Sequence, residues 1–213
     1  MSDDETPREN DHEAEPPDDE VAAALLDAFG GSIYDISHGQ PVVYVDRAVF
    51  ADVAMFLRDE QAFSMLIDVT AVDHLLDGVR YTPGGRRQRS RTTGSEGEDT
   101  GDGRRSVEST HGGAVALERF QVVANYLSHT RNRRIRVICE VPADDPTVPS
   151  VTPVYPGANF AEREVFDMFG ISFAGHPELI RILMPDDWDG HPLRKDYPAA
   201  RVPVTFKGDP SPR

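Results

Sequence analysis

The densest run of chemically capable side chains lies between Glu162 and Pro198. His176, Asp186, Asp187, Asp189 and His191 fall close together there, and a mix of carboxylates and imidazoles is the donor chemistry of a divalent-metal site. Zinc sites, however, draw on short fixed pairs such as His-x-x-Glu-His or Cys-x-x-Cys, and none occurs. Asp186-x-Trp188-x-Gly190 also lacks the carboxylate series of a calcium loop. The simpler reading is that these acids meet Arg and Lys groups of a neighbour. Glu162, Glu164 and Asp167 could form a general acid–base set converging in a pocket. Against that, Asn159 followed three positions on by Glu162 has the form of a capping box, and Arg163 and Asp167 are spaced i, i+4 for a direct pair on one helix. Nucleophilic catalysis has little footing: Gly-x-Ser-x-Gly is absent, and Cys139 sits inside an apolar strand pattern with no His nearby in sequence. Neither a dinucleotide fingerprint nor a phosphate loop is present.

What the same stretch offers is contact chemistry. Trp188 and Tyr197, flanked by Arg194 and Lys195, are the residue types enriched at interface hot spots. After Gly170, prolines recur at 177, 185, 192, 198, 203, 210 and 212, which argues against regular structure. An extended arm stiffened by proline loses less entropy on docking than a flexible one.

The elements that must position this stretch are legible upstream. Asp18-Asp19 is a candidate N-cap for a helix carrying Val21, Leu25, Leu26 and Phe29, ended by Gly30-Gly31. Ile33–Ser37 and Pro41–Val45 around Gly39 read as a hairpin. Asp46 should cap a second helix with Val49, Val53, Phe56 and Leu57 at helical spacing. Phe63–Val72 reads as a strand with Met65, Ile67 and Val69 on one side and Leu66 and Asp68 on the other. Phe120–Leu127 and Arg134–Val141 alternate as paired strands joined across 128–132. Val141–Pro156 is a proline-rich extended connector, and a helix of about three turns then leads to Gly170.

Composition bounds the rest. The 213 residues carry a formal charge of −15, and the first twenty hold ten Asp/Glu against one Arg. Residues 1–18 are therefore expected to be a disordered acidic tail, unlike an Arg-rich transit peptide or an apolar secretory signal. Residues 19–170 form an α+β domain, with a mixed or antiparallel sheet and flanking helices. A polar insertion at about 78–113 interrupts it, with an Arg cluster over 86–91. Residues 171–213 form an extended, partner-binding C-terminal arm. Removing residues 181–213 should on this reading leave a soluble domain. Net acidity argues against nucleic acid as a partner. One cysteine supplies neither a disulfide nor an iron–sulfur cluster, consistent with an intracellular chain. No apolar run reaches the roughly 20 residues of a membrane span.

The run Glu162-Arg163-Glu164-Val165-Phe166-Asp167-Met168-Phe169-Gly170 closely resembles the signature of the C-type subunit of NADH-quinone oxidoreductase, the thirty-kilodalton subunit of respiratory complex I. The likeness continues through Gly175-His176-Pro177, Arg181–Trp188 and Gly190-His191-Pro192-Leu193-Arg194-Lys195-Asp196-Tyr197-Pro198. Upstream, Asp68–Asp73 and Val148–Thr152 are similar to family elements. Tyr155 and Phe160 stand where the family commonly has tryptophan, and His74 where tyrosine is usual. The resemblance implies a non-catalytic scaffold of the hydrophilic arm, with no flavin, iron–sulfur cluster or nucleotide of its own. Those groups are expected on partner subunits. It implies the D-type subunit as chief partner, with the B- and I-type subunits, and an indirect, peripheral seat on the cytoplasmic side of a bacterial inner membrane. Glu162, Arg163, Glu164, Asp167, Gly170, His176, Arg181, Asp186, Trp188, His191, Arg194, Lys195, Asp196 and Tyr197 would then be helix-stabilising or interface groups, without catalytic or metal roles. Two rivals stay open: the homologous small subunit of a membrane-bound hydrogenase complex, and a stand-alone metal-dependent hydrolase using Asp186, Asp189 and His191.

Overall fold

The computed structural model describes residues 19–75 and 117–198, with the backbone alone of short strands at 80–81, 87–88, 106–108 and 114–116. The expected tail at 1–18, most of the 78–113 insertion and the arm beyond residue 198 lie outside the described residues.

Asp19 caps α1 (Glu20–Ala28) as its position predicts: its Oδ1 accepts the N–H groups of Val21 and Ala22, both at 3.0 Å. The β1 (Ile33–Ser37) and β2 (Gln40–Val45) pair is the expected antiparallel hairpin, turning through His38 and Gly39 at positive φ. Asp46 caps a single 3-10 turn, Arg47–Val49, ahead of α2 (Phe50–Asp59), not the α-helix itself. Next come β3 (Met65–Asp73) and the short strands β4 (Arg80–Tyr81), β5 (Arg87–Gln88), β6 (Ser106–Glu108) and β7 (Ala114–Ala116). β8 (Phe120–Ser128) and β9 (Arg133–Val141) then form the second expected hairpin. Among the described residues β4 pairs with β5 and β6 with β7, each as a two-stranded ladder outside the five-stranded sheet.

That sheet runs β1-β2-β9-β8-β3. Every pairing in it is antiparallel except β2 with β9, which is parallel, so the sheet is mixed. Along β8 the even-numbered side chains from Phe120 to Ser128 are buried, the period-two signature of a sheet with one covered face. The covered residues include Val43, Val45, Val69, Ala71, Val122, Ala124, Val137 and Cys139. They meet Val21 and Leu25 of α1, Phe50, Val53 and Leu57 of α2, and Val165 and Phe169 of the C-terminal helix in one core.

β3 departs from the strict alternation read from its sequence. Its register with β8 shifts between Leu66 and Asp68, so Ile67 is an extra, unpaired residue. Met65 and Ile67 remain exposed while Val69, Ala71 and Asp73 turn inward. The bulge thereby delivers a carboxylate, Asp73, to the core-facing side at the strand's end.

The connector and the start of the arm are more regular than their prolines suggest. β10 (Thr147–Pro149) pairs in parallel with β11 (Ser172–Ala174), just beyond α3 (Ala158–Phe169). The ladder is only three residues long and Pro149 is its last residue, so no proline needs an interior donor. Tyr155 anchors the connector to the core by donating to Phe63 O at 2.6 Å, and its ring packs on the fully buried Tyr126. No helix among the described residues is long and apolar enough to cross a membrane.

Candidate functional site

α3 begins without a capping box: its N-cap position is Gly157, and no side chain closes the first turn. Glu162 falls on the helix's buried stripe with Ala158, Val165 and Phe169, and it is fully shielded. Its carboxylate turns to the connector instead of its own helix. Oε1 accepts Val151 N–H at 2.7 Å, and Oε2 accepts the Ser150 hydroxyl at 2.6 Å and the Thr152 hydroxyl at 3.1 Å. Burial lifts the acid above its usual range, and these three donors only partly offset that. An uncharged isostere should therefore serve nearly as well. Glu162→Gln is expected to unfold in urea within about 1 kcal/mol of the parent, whereas Glu162→Ala should lose about 3 kcal/mol by stranding a buried N–H and two hydroxyls.

The far end of α3 organises the arm. A helix leaves its last four carbonyls without partners, and here all four are met. Gly170, in the left-handed region at φ 71°, donates its N–H to Phe166 O at 2.9 Å. His191 Nδ1 donates to Asp167 O at 2.9 Å, and Leu193 N–H to Met168 O at 3.0 Å. Arg194 donates Nε to Phe169 O and Nη2 to Gly170 O, which also sets a cation at the negative end of the helix dipole. The run from His191 to Arg194 is thus a helix cap contributed from a distant part of the chain.

Two buried carboxylates hold the arm on either side of this cap. Asp167 does not pair with Arg163. Its Oδ1 accepts Arg181 Nη1 at 2.6 Å, while Oδ2 collects three successive backbone N–H groups: Ile182 at 3.1 Å, Leu183 at 2.8 Å and Met184 at 2.8 Å. Arg163 instead donates to the carbonyls of Ile180 and Arg181, so it too holds the arm. The i, i+4 pairing loses because a desolvated carboxylate is better served by four converging donors than by one guanidinium. Burial pushes Asp167 up, but those donors outweigh it and hold the acid below its ordinary value.

The second anchor is Asp73, which the chemistry of the arm alone does not reveal. It takes Arg119 Nε at 3.0 Å and Nη2 at 2.8 Å, plus the N–H groups of Leu75 and Lys195, each at 2.9 Å. Arg119 also reaches Asp196 at 2.8 Å, bridging core to arm. The Arg119 and Arg194 guanidinium groups both lie over the Phe120 ring, at 4.7 and 5.3 Å from its centroid. Burial again works against the Asp73 charge, yet Arg119 and the two N–H donors bring the carboxyl below its usual range.

The remaining signature residues sit as follows. His176 accepts Glu178 N–H at Nδ1 and meets Asn159 O through Nε2, which together fix the Nε2–H tautomer. Trp188 is partly covered; its own N–H meets Pro185 O, and its indole N–H is shielded with no hydrogen-bond partner. Tyr197 N–H bonds Arg194 O, and its ring lies against Gly190. Glu164, Asp186, Asp187 and Asp189 are exposed. Among the described residues no three His, Cys, Asp or Glu side chains are grouped to hold a metal, so Asp186, Asp189 and His191 are not assembled into a hydrolase centre.

A mixed sheet with a helical layer, closed by an arm that its own carboxylates clasp, defines an α+β domain with an ordered C-terminal strap. Residues 43–202 match the family described as respiratory-chain NADH dehydrogenase, 30 Kd subunit, and the chain belongs to that family. The C-type subunit of NADH-quinone oxidoreductase from Saccharopolyspora erythraea is 39% identical over 81% of this chain and 55% of that one. The protein of the same name from a Roseiflexus species is 40% identical over 89% of this chain and 87% of its own length. A joint C/D-type subunit from Chromohalobacter salexigens is 39% identical over 85% of this chain and 26% of that one. The chain thus spans only about half the length of the Saccharopolyspora relative. A solved structure of a trypsin-resistant fragment of Nqo5 covers 68% of this chain and 89% of that chain at 28% identity, with a TM-score of 0.46.

Proposed function

We propose that this chain is a non-catalytic scaffold subunit in the hydrophilic arm of a proton-translocating NADH:quinone oxidoreductase. It supports electron transfer from NADH to quinone while flavin and iron–sulfur chemistry stays on partner subunits. The D-type subunit is the chief partner in this reading, followed by the B- and I-type subunits, and the seat is peripheral, on the cytoplasmic side of the bacterial membrane. The Chromohalobacter protein, whose name joins C with D, favours the D-type neighbour and favours the oxidoreductase over a hydrogenase complex.

One observation carries the reading. The charged signature residues Arg163, Asp167, Arg181 and Arg194 are spent on the chain's own carbonyls and carboxylates. The arm also turns large apolar side chains outward, beside its exposed acids: Ile180, Ile182, Leu183 and Leu193 are 49%, 37%, 56% and 52% exposed. A run of large apolar side chains on a rigidly held strap is the chemistry of an obligate interface. Replacing Ile182 and Leu183 together by Asp leaves their backbone N–H groups free to bind Asp167. The double variant should keep its melting temperature within a few degrees, yet copurification with the D-type subunit should fall roughly tenfold or more. Unaltered entry of that variant into the complex would defeat the proposal.

A further inference from the structure

We propose that a trough at the end of the main sheet is a second docking surface, independent of the arm. Its occupant is an extended acidic segment of a partner protein with an apolar side chain at each end. Two depressions make up the trough. One, of about 670 Å³, is lined by Ile36, Gln40, His129, Arg133 and Arg134, among others. The other, of about 330 Å³, is lined by Gln40, Ile67, Asn125, Arg134 and Arg136, among others. Gln40 and Arg134 are common to both, so the depressions run into one another. Charge sets the sign of the occupant. In a chain of net charge −15, residues 129–136 carry four arginines and no acid. Arg131 and Arg133 are neutralised by Glu20 and Asp19. Arg134 is exposed and makes no ion pair among the described residues, and Arg136 donates to the neutral Oδ1 of Asn125 at 3.2 Å.

Spaced i, i+2 on β9, Arg134 and Arg136 lie on one face of the sheet, and each guanidinium offers the paired donors that suit a carboxylate. The ends of the trough supply the apolar contacts. Ile36, 55% exposed, lines one depression, and Ile67, 41% exposed, lines the other. Ile67 is the bulged residue of β3, and bulges recur where a side chain is re-aimed at a site. β1 and β3 are the two edges of the sheet, four strand spacings or about 19 Å apart. An extended chain of about six residues spans that distance. A nucleic acid is the poorer fit: Asp68 also lines the second depression, and a phosphate backbone has no use for an isoleucine at either end.

The test titrates the full-length, isotope-labelled chain with the peptide acetyl-Leu-Glu-Asp-Glu-Asp-Leu-amide and follows the backbone amide signals. Shifts should gather at residues 36, 40, 67, 125, 134 and 136. Arg134→Glu should weaken binding at least about tenfold, and Ile67→Ser about fivefold. Both side chains are exposed, so each variant should keep the melting temperature of the parent. The same peptide with glycine for both leucines should bind about fivefold or more weakly. Shifts that are absent at peptide concentrations on the order of millimolar, or spread evenly over the surface, overturn the proposal. So does equal binding of the glycine peptide, or tighter binding of a single-stranded oligonucleotide or an anionic lipid vesicle to the same residues. Binding that emerges only once residues 1–18 are removed also overturns it, since the chain's own acidic start would then be the occupant.

Discussion

Asp167→Asn should be among the most damaging single-atom changes in this chain, with a loss of about 3–5 kcal/mol in urea unfolding, the scale for removing one partner of a buried ion pair. Both oxygens of Asp167 face donors: Arg181 on one side and the N–H groups of 182, 183 and 184 on the other. However the amide rotates, its NH2 points at a donor, and the Arg181 charge is left half-buried without its counter-ion. Because Arg181 also holds Gly190 O, the loss should propagate along the arm. The sequence-based expectation that removing residues 181–213 leaves a soluble domain therefore meets a structural cost: excision would uncover the carbonyls of Asp167, Met168 and Phe169, strand the Asp167 carboxylate and take one donor, Lys195 N–H, from Asp73.

The same residue sets a pH signature. Asp167, Asp73 and Asp196 are all lowered in the folded state. Their contribution is present above the unfolded aspartate value of about 3.9 and disappears as pH falls through the depressed folded values. Glu162 is raised, so its contribution runs the other way: present below its unfolded value of about 4.3, and lost as pH climbs through the folded one. Acid unfolding of the parent should thus steepen below about pH 4, and Asp167→Asn should flatten that limb. An unchanged slope would show that Asp167 is not ionised in the fold.

Local devices are legible in the sequence, and long-range ones are not. The Asp19 cap, both hairpins and the stop at Gly170 depend on neighbours within a few residues, and their residue types announce them. For Glu162 and Asp167, spacing suggests the partners nearest in sequence, a capping position and an i−4 arginine. Their real partners lie 10 to 17 residues away, where spacing carries no information. Two signals are nevertheless present. Glu162 stands in phase with Ala158, Val165 and Phe169, and Asp73 in phase with Val69 and Ala71, so each places an acid where its element otherwise buries apolar groups. A carboxylate at a core position must find donors, and Arg, hydroxyl and backbone N–H groups of the connector and the arm are what these acids find. Arg119 bears no such mark, since its value comes from Asp73, 46 residues upstream, and Asp196, 77 downstream.

Gly170→Ala should open the clasp from its other side. The left-handed φ of 71° alone would cost an alanine roughly 1–2 kcal/mol. The added Cβ would also lie 2.5 Å from both His191 Nε2 and Arg194 Nη2. The Arg194 tip can swing, but only by giving up Phe169 O and Gly170 O. The His191 ring, held to Asp167 O and edged against Phe166, has no equivalent escape. Gly175 provides the control, because it has a similar φ of 83° with open space where a Cβ would go. Gly175→Ala should show the backbone penalty alone, whereas Gly170→Ala should lose about 3 kcal/mol or more and release the arm. Limited trypsin digestion reads the release directly: cleavage after Arg181 and Arg194 should accelerate in Gly170→Ala and stay at the parent rate in Gly175→Ala. Equal cleavage in the two variants would mean that the run from His191 to Arg194 does not cap α3, and that the arm is held elsewhere.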